Sequence, residues 1–434
     1  MNFVLLNTET KHMSFIRKIS FLLFAFSFFY SSAQVIVDAE LRPRFEYRHG
    51  YKTLFPNNVD PAAYISQRTR LNIDYKKDNL DFYLSLQDVR VWGDVPQLNV
   101  SDNNGIAIHQ AWTKIKLDSE FSIKLGRQEI IYDDSRIFGN VGWAQQARRS
   151  HDVALIQFSK FNSKFDLGFA FNQDQESLTG TTQTNPKTYK AFQYFWYHKD
   201  WSNFSTSFLL LNNGLQYIDD SNQKNNETRY SQTLGTHITF SKNNLKFKGN
   251  FYHQFGNDIS NNKINASLVG IDLNYKASNK TSLGLGIEIS SGNNNGVPSD
   301  GINKAFTPFY GTNHKFNGLM DYFYVGNHKD NVGLKDFYIN SNFKLSKKSN
   351  VSLVYHDFSA QSNLSGTNKK TLGSEIDIVY ANKLQKNIFL KVGYSQLFSK
   401  NGMEILKGNS DNNNNNWGWI MLVVKPSLFN NFNK

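Results

Sequence analysis

From Val37 to Arg48 the chain reads VDAELRPRFEYR, and it alternates without a break. Val37, Ala39, Leu41, Pro43, Phe45 and Tyr47 are apolar or aromatic, whereas Asp38, Glu40, Arg42, Arg44, Glu46 and Arg48 are all charged. A period of two belongs to the β-strand, whose successive side chains leave opposite faces. This strand therefore has one greasy face and one fully ionised face. Two folds accommodate such a strand. In a soluble sandwich the charged face meets solvent; in a membrane barrel the apolar face meets lipid and the charged face a polar lumen. The stretch alone leaves both open.

Further alternating runs decide between them. Ile65, Gln67, Thr69, Leu71, Ile73 and Tyr75 interleave with Ser66, Arg68, Arg70, Asn72 and Asp74. Leu283, Leu285, Ile287 and Ile289 interleave with Ser282, Gly284, Gly286, Glu288 and Ser290. Continued to residue 425, the pattern predicts about 18 strands of bilayer-spanning length. The connections between them alternate too. Short ones such as 76–79, 118–120, 242–244 and 277–280 take turns with long ones such as 49–63, 93–105, 132–150 and 292–333. A sandwich has no reason to sort loop length by parity, whereas an outer-membrane barrel has short periplasmic turns and long extracellular loops. Closure also removes the edge strands that so large an open sheet would expose. The expectation is an all-β fold: a transmembrane antiparallel β-barrel of about 18 strands. No run of 18 apolar residues follows residue 33, which excludes a helical membrane protein. A mean hydropathy of −0.51 does not exclude a barrel, whose lumen residues dilute its lipid face.

The N-terminus carries an address. Arg17 and Lys18 precede the apolar run Ile19–Tyr30 and the small residues Ser31-Ser32-Ala33. This is the layout of a secretory signal, with cleavage expected after Ala33 and Met13 an alternative start. The expected organisation is a signal peptide, 1–33, and one barrel domain, 34–434. Without cysteine the chain has no disulfide framework, no thiolate metal site and no lipid-anchored N-terminal Cys. Residues 34–434 carry a net charge near +10, which points an exported protein toward anionic partners and away from nucleic acid. Tyr75, Tyr197, Trp201, Tyr275, Trp417 and Trp419 fall near strand ends, where an interfacial aromatic girdle belongs.

Arginine is distributed unevenly. Of the 11 arginines beyond the signal, ten lie between Arg42 and Arg149: Arg42, Arg44, Arg48, Arg68, Arg70, Arg90, Arg127, Arg136, Arg148 and Arg149. The remainder of the chain uses lysine. A guanidinium is always charged and presents a planar fork to carboxylate or phosphate. Against lipid each would cost roughly 2–4 kcal/mol at the bilayer midplane, so those on the first two strands are expected to coat the lumen. Interleaved carboxylates keep the wall from trapping an anion, and conduction needs binding that also lets go.

Two stretches break the alternation. In LQDVRVWG, Asp88 and Arg90 take the parity of Leu86; in KLGRQEIIY, Arg127 and Glu129 follow the parity of Leu125. Such shifts suggest bulges, or strands leaving the membrane, and place these four residues at or above the pore mouth. Fragments with a catalytic look are sparse: Asp133-Asp134 and Ser150-His151-Asp152. There is no HExxH, GxSxG, P-loop or CxxC. The expectation is a non-enzyme with no cofactor and no metal.

RPRFEYR, QRTRL, QDVRVWG, HQAWTKIKL, LGRQEIIYDDSRIFGNVGWAQQARR and FNGLMDYFY followed by GLKDFYI resemble the alginate-export family of outer-membrane proteins. The likeness runs from about Val37 to the end. It implies a monomeric 18-stranded barrel with an Arg-rich lumen that passes a uronic-acid polymer. By the same resemblance, selectivity falls on Arg42, Arg44, Arg68, Arg70, Arg90 and Arg127, with Glu46, Asp88 and Glu129 as counter-charges. The expected partners are an anionic polysaccharide or oligosaccharide, outer-membrane lipid and periplasmic export or uptake proteins. The alternatives are a general or small-anion porin, and a barrel that conducts nothing and binds at the surface or catalyses. Within the longest loop, 292–333, the segment 316–325 is either an inward constriction or an exposed loop.

Overall fold

A computed structural model describes residues 33–98, 105–140, 149–184, 188–312, 314–323, 331–408 and 413–431. The signal segment up to residue 32 and Arg148 lie outside them. The first half of the barrel comprises β1 (Gln34–His49), β2 (Ala62–Lys77), β3 (Leu80–Val91), β4 (Ala107–Lys116), β5 (Phe121–Gln128), β6 (His151–Lys160), β7 (Ser163–Phe171), β8 (Ala191–Asp200) and β9 (Phe204–Tyr217). The second half comprises β10 (Glu227–Lys242), β11 (Leu245–Gly256), β12 (Ala266–Tyr275), β13 (Thr281–Ser290), β14 (Leu334–Lys344), β15 (Ser349–Ala360), β16 (Thr371–Gln385), β17 (Ile388–Ser399) and β18 (Asn415–Val424). Each strand pairs antiparallel with its neighbours in sequence, and β18 pairs with β1. The result is the expected closed 18-stranded barrel. Short turns at one rim alternate with long loops at the other, as the spacing predicted.

The closing pair is irregular. Bridges between β1 and β18 skip from Leu41–Val424 to Arg44–Met421, so Pro43, which has no N–H to donate, stands in the gap. A short strand, Ser427–Asn430, then pairs with Ile36–Asp38. The predicted bulge near residue 86 is present as a register shift between Ser85 and Leu86 against β4.

The two faces separate as the alternation requires. Leu41 and Phe45 on β1 and Leu283, Leu285 and Ile287 on β13 are 39–50% exposed, an apolar surface that only lipid makes favourable. Tyr275 and Trp201 are half exposed at the short-turn rim, where a girdle belongs. Trp417 and Trp419 are not part of it. They point inward, are 0% and 2% exposed, and pack against Tyr51, Met421 and the 291–333 loop. The reason is parity: both share the inner face of β18 with Met421 and Val423, while Ile420 faces out. Inward rings also lie over glycines on neighbouring strands. A Cβ at Gly393 would meet the Trp419 indole at 2.2 Å, so only glycine fits beneath it.

Candidate functional site: the inner wall and two inward loops

The inner face of β1 and β2 is a lattice of charges. Direct neighbours across the pair include Arg42 with Arg68, and Glu40 with Arg70. Like charges directly opposed in a sheet repel, and the carboxylates between them offset this. Arg68 Nε donates to Glu40 Oε1 at 3.1 Å, and Lys425 Nζ lies 3.1 Å from Glu40 Oε2. Glu46 accepts from Arg44 at 2.7 Å, Arg48 at 2.8 Å and the Trp417 indole at 3.1 Å. Arg70 donates to Gln87 on β3 at 2.9 Å. Arg42, Arg44, Arg68 and Arg70 are buried within the barrel, as are Glu40 and Glu46, and Arg48 is partly exposed against the rings of Tyr51 and Tyr64.

Other predicted residues are elsewhere. Asp88 pairs in register with Thr69, and Arg90 with Gln67, on the same face as Leu71 and Phe82. That is the outer face, near the long-loop rim, where Asp88 and Arg90 hold each other at 2.8 Å. Arg127 likewise faces out and pairs with exposed Asp152 at 2.7 Å. Their shared parity with lipid-facing leucines was the warning, and the expectation that these three face the lumen is corrected here. Glu129 lies inside, 2.9 Å from His109 Nε2 and 2.9 Å from Asn140 Nδ2. Ser150-His151-Asp152 is no triad: His151 turns inward against Tyr189 while Asp152 turns outward. Among the described residues no group of His, Asp or Glu is arranged to hold a metal.

Two long loops fold into the barrel. The 129–150 loop buries Ile130, Ile137 and Phe138 against Phe192, Tyr194, Leu211 and Leu268 of the inner wall. Its Asp133 accepts from the Trp196 indole at 3.2 Å, and Asp134 accepts from Asn250 at 2.6 Å, so this acidic pair anchors the loop. The 291–333 loop buries Met320, Tyr322 and Phe323 against Phe358, Leu372 and Trp417. Of its two readings, the inward constriction is the one observed over the described part, 316–323.

The loops clasp each other. Phe138 and Tyr310 form a parallel bridge, Gly139 N donates to Tyr310 O at 2.9 Å, and Thr312 N donates to Ser135 O at 2.9 Å. Arg149 reaches Gly311 O at 2.6 Å. Arg136 is 3% exposed, ion-pairs with Glu288 on β13, donates to Asn317 at 3.3 Å and lies over Phe316 at 4.2 Å. Burial draws its guanidinium down to about 10, so it stays charged at neutral pH. Burial alone would raise the Asp321 carboxyl, yet His314, 2.9 Å away, and the Tyr51 hydroxyl hold it below the usual range.

An acidic wall, opposite in character to the arginine one, is not evident from composition. Asp272, Glu288, Asp336, Glu375 and Asp377 all point inward from β12, β13, β14 and β16. Backbone N–H groups of the 291–333 loop dock on it, Leu319 N to Asp377 at 3.1 Å and Met320 N to Glu375 at 2.9 Å. The signal was present, since each carboxylate holds an inward-parity position in its run. Between this wall and the clasped loops lies a cavity of about 640 Å³, lined by Lys248, Asp272, Glu288, Lys315, Asp336 and His356 among others.

A model of the alginate export family matches residues 33–416. Among solved structures, Acinetobacter baumannii OccAB4 superposes with a TM-score of 0.62 at 12% identity, covering 91% of this chain and 98% of its own. Pseudomonas aeruginosa OpdL gives 0.61 at 12%, covering 91% and 99%. Pseudomonas aeruginosa OpdK, solved with vanillate, gives 0.59 at 10%, covering 91% and 98%. At these identities the likeness establishes the fold alone. No curated protein sequence matches the chain.

Proposed function

The chain belongs to the alginate-export family and is an outer-membrane β-barrel channel, and from that premise we propose that it passes an anionic polysaccharide of the uronic-acid type, passively and with anion selectivity. The observation that carries this reading is the inward row of Arg42, Arg44, Arg68 and Arg70 on two adjacent strands. A uronate carboxylate presents the same two oxygens that Glu40 and Glu46 present to these forks, so it competes for them on equal chemical terms. The exchange keeps each contact short-lived, which suits a polyanion moving stepwise. Asp88, Arg90 and Arg127, on the outer face, take no part in this path.

Planar-bilayer recording tests the proposal. A reversal potential set by the anion, with block by oligouronates and none by neutral oligosaccharides, is the expected result. Replacing Arg42, Arg44, Arg68 and Arg70 by Gln should lower both anion preference and block at least about tenfold. Unchanged selectivity in that variant would remove the wall from the pathway.

A second reading, a porin for small carboxylates, is favoured by the two inward loops. The space they leave, about 640 Å³, is the volume of a site for one small molecule. Block by monomeric aromatic or sugar acids at concentrations where oligouronates have no effect would favour it.

A further inference from the structure

Lysine, not arginine, dominates the short-turn rim. The eight short turns, taken with two residues on each side, hold fourteen lysines, no arginine and five carboxylates. The excess is one-sided. The four turns between β2 and β9 hold six of the lysines and all five carboxylates, with Lys116 paired to Asp81 at 3.0 Å and Lys160 to Glu120 at 2.7 Å. The four turns between β10 and β17 (243–244, 276–280, 345–348 and 386–387) hold eight lysines and no carboxylate. All eight are exposed, and none has an ion-pair partner among the described residues.

The pleat decides where this charge points. Leu245, Tyr275 and Phe343 stand on the outer face at this level, each more than a third exposed. Lys246 pairs in register with Asn274, and Lys344 with Asn350, on the inner face, which exposed Lys383, just beyond the counted turn residues, shares with Asp377 six positions back along β16. Leu245, Tyr275 and Phe343 thus face lipid while Lys246, Lys344 and Lys383 face the mouth; Lys242, in register with Leu245, takes the outer parity. One step deeper, Lys391 on β17 stands opposite Met421, which stands opposite Arg44 on β1. The lysine arc therefore runs into the arginine wall in register, across three adjacent strands.

We propose that this arc is a loading site, where a carboxylate-bearing polymer arriving from the periplasm first binds before it meets the arginines. The proposal rests on the uronate reading of the channel. Residue types fit the task. An ammonium on a flexible stem is a hydrated point charge that attracts a polyanion without demanding an orientation, whereas the guanidinium fork does demand one. Eight uncompensated charges at one rim raise the encounter rate of an anion, and salt should suppress the effect over a Debye length of about 8 Å.

The absence of cysteine makes the test direct. A Ser177→Cys substitution, at an exposed position on the long-loop side, modified by an impermeant thiol reagent, reports which way the channel sits in a planar bilayer. Oligouronate is then added to one side at a time and single-channel block is timed. The expected on-rate is higher from the short-turn side and falls steeply with salt. Lys246→Gln, Lys344→Gln and Lys383→Gln together should slow that on-rate by about tenfold, leaving the off-rate and the on-rate from the other side unchanged. Block without sidedness, or a triple variant blocked as fast as its parent, would overturn the loading site alone. If that variant instead loses binding to anionic phospholipid vesicles, the lysines serve lipid headgroups. Failure of oligouronate to block from either side would sink the uronate reading, and the loading site with it.

Discussion

Glu46 shows how a buried charge is held in this wall. It is 1% exposed and accepts from Arg44, Arg48 and the Trp417 indole, so it joins the first strand to the last as well as fixing two guanidinium groups. Removing one partner of a buried pair leaves the other uncompensated, at a cost of roughly 3–5 kcal/mol. Glu46→Gln should therefore destabilise the barrel by about that amount in urea titrations of protein refolded into phospholipid vesicles. Arg48→Gln, at a partly exposed site, should cost about 1 kcal/mol or less. Equal losses would mean that burial is not what gives Glu46 its weight. At this scale the alternation of VDAELRPRFEYR was enough to say that Arg42 and Arg44 turn inward. It was not enough for Asp88, Arg90 and Arg127, where charge continues along the lipid-facing parity as the strand rises past the apolar band. Composition near a rim no longer distinguishes the faces there; register against the neighbouring strand does.

The decisive elements are the two inward loops. Their lengths were legible, their direction less so, because a long polar loop reads the same whether it rises into water or folds back. The signal was in residues that water would not reward. Ile137 and Phe138 in one loop, and Met320, Tyr322 and Phe323 in the other, are all buried against the inner wall. Trp417 and Trp419 are ambiguous in sequence for the same reason, since large aromatics near a strand end fit either a girdle or a packed lumen. Beside the backbone bridges of the clasp, Arg136 ties the two loops to the wall, shared between Glu288 on β13 and Asn317 on the opposite loop. Arg136→Ala should release both loops, raising single-channel conductance and open-channel noise, while Arg90→Ala on the outer face should change neither. Conductance unaltered by Arg136→Ala would show that the backbone bridges, Arg149 and apolar packing hold the constriction without it.

Across the whole molecule, charge is sorted by place. Arginine lines β1 and β2, carboxylates line β12, β13, β14 and β16, and lysine crowns one arc of the short-turn rim. Strand number, closure and loop parity were readable because each follows from a period of two and from the need to leave no edge. The acidic wall was not evident, because its members are spread over four strands, one or two to a strand, and gather only when those strands pair. The apolar exterior has a measurable counterpart. Leu285, half exposed near the middle of β13, should cost roughly 2–4 kcal/mol on substitution by Arg in vesicles. The same change in detergent, where no bilayer midplane exists, should cost less.

The arginine-bearing strand is also the one that meets the end of the chain. Val35 N donates to Asn431 Oδ1 at 2.6 Å, across 396 positions of sequence. Contacts of such separation are the slowest to form, so β1 and β18 join only when everything between them is in place. A half-made ring consequently encloses no lumen for the guanidinium row to line, since its first strand has no partner on one side. On the proposed reading of the channel, selectivity arrives with closure of the ring, and an open sheet offers neither pore nor preference.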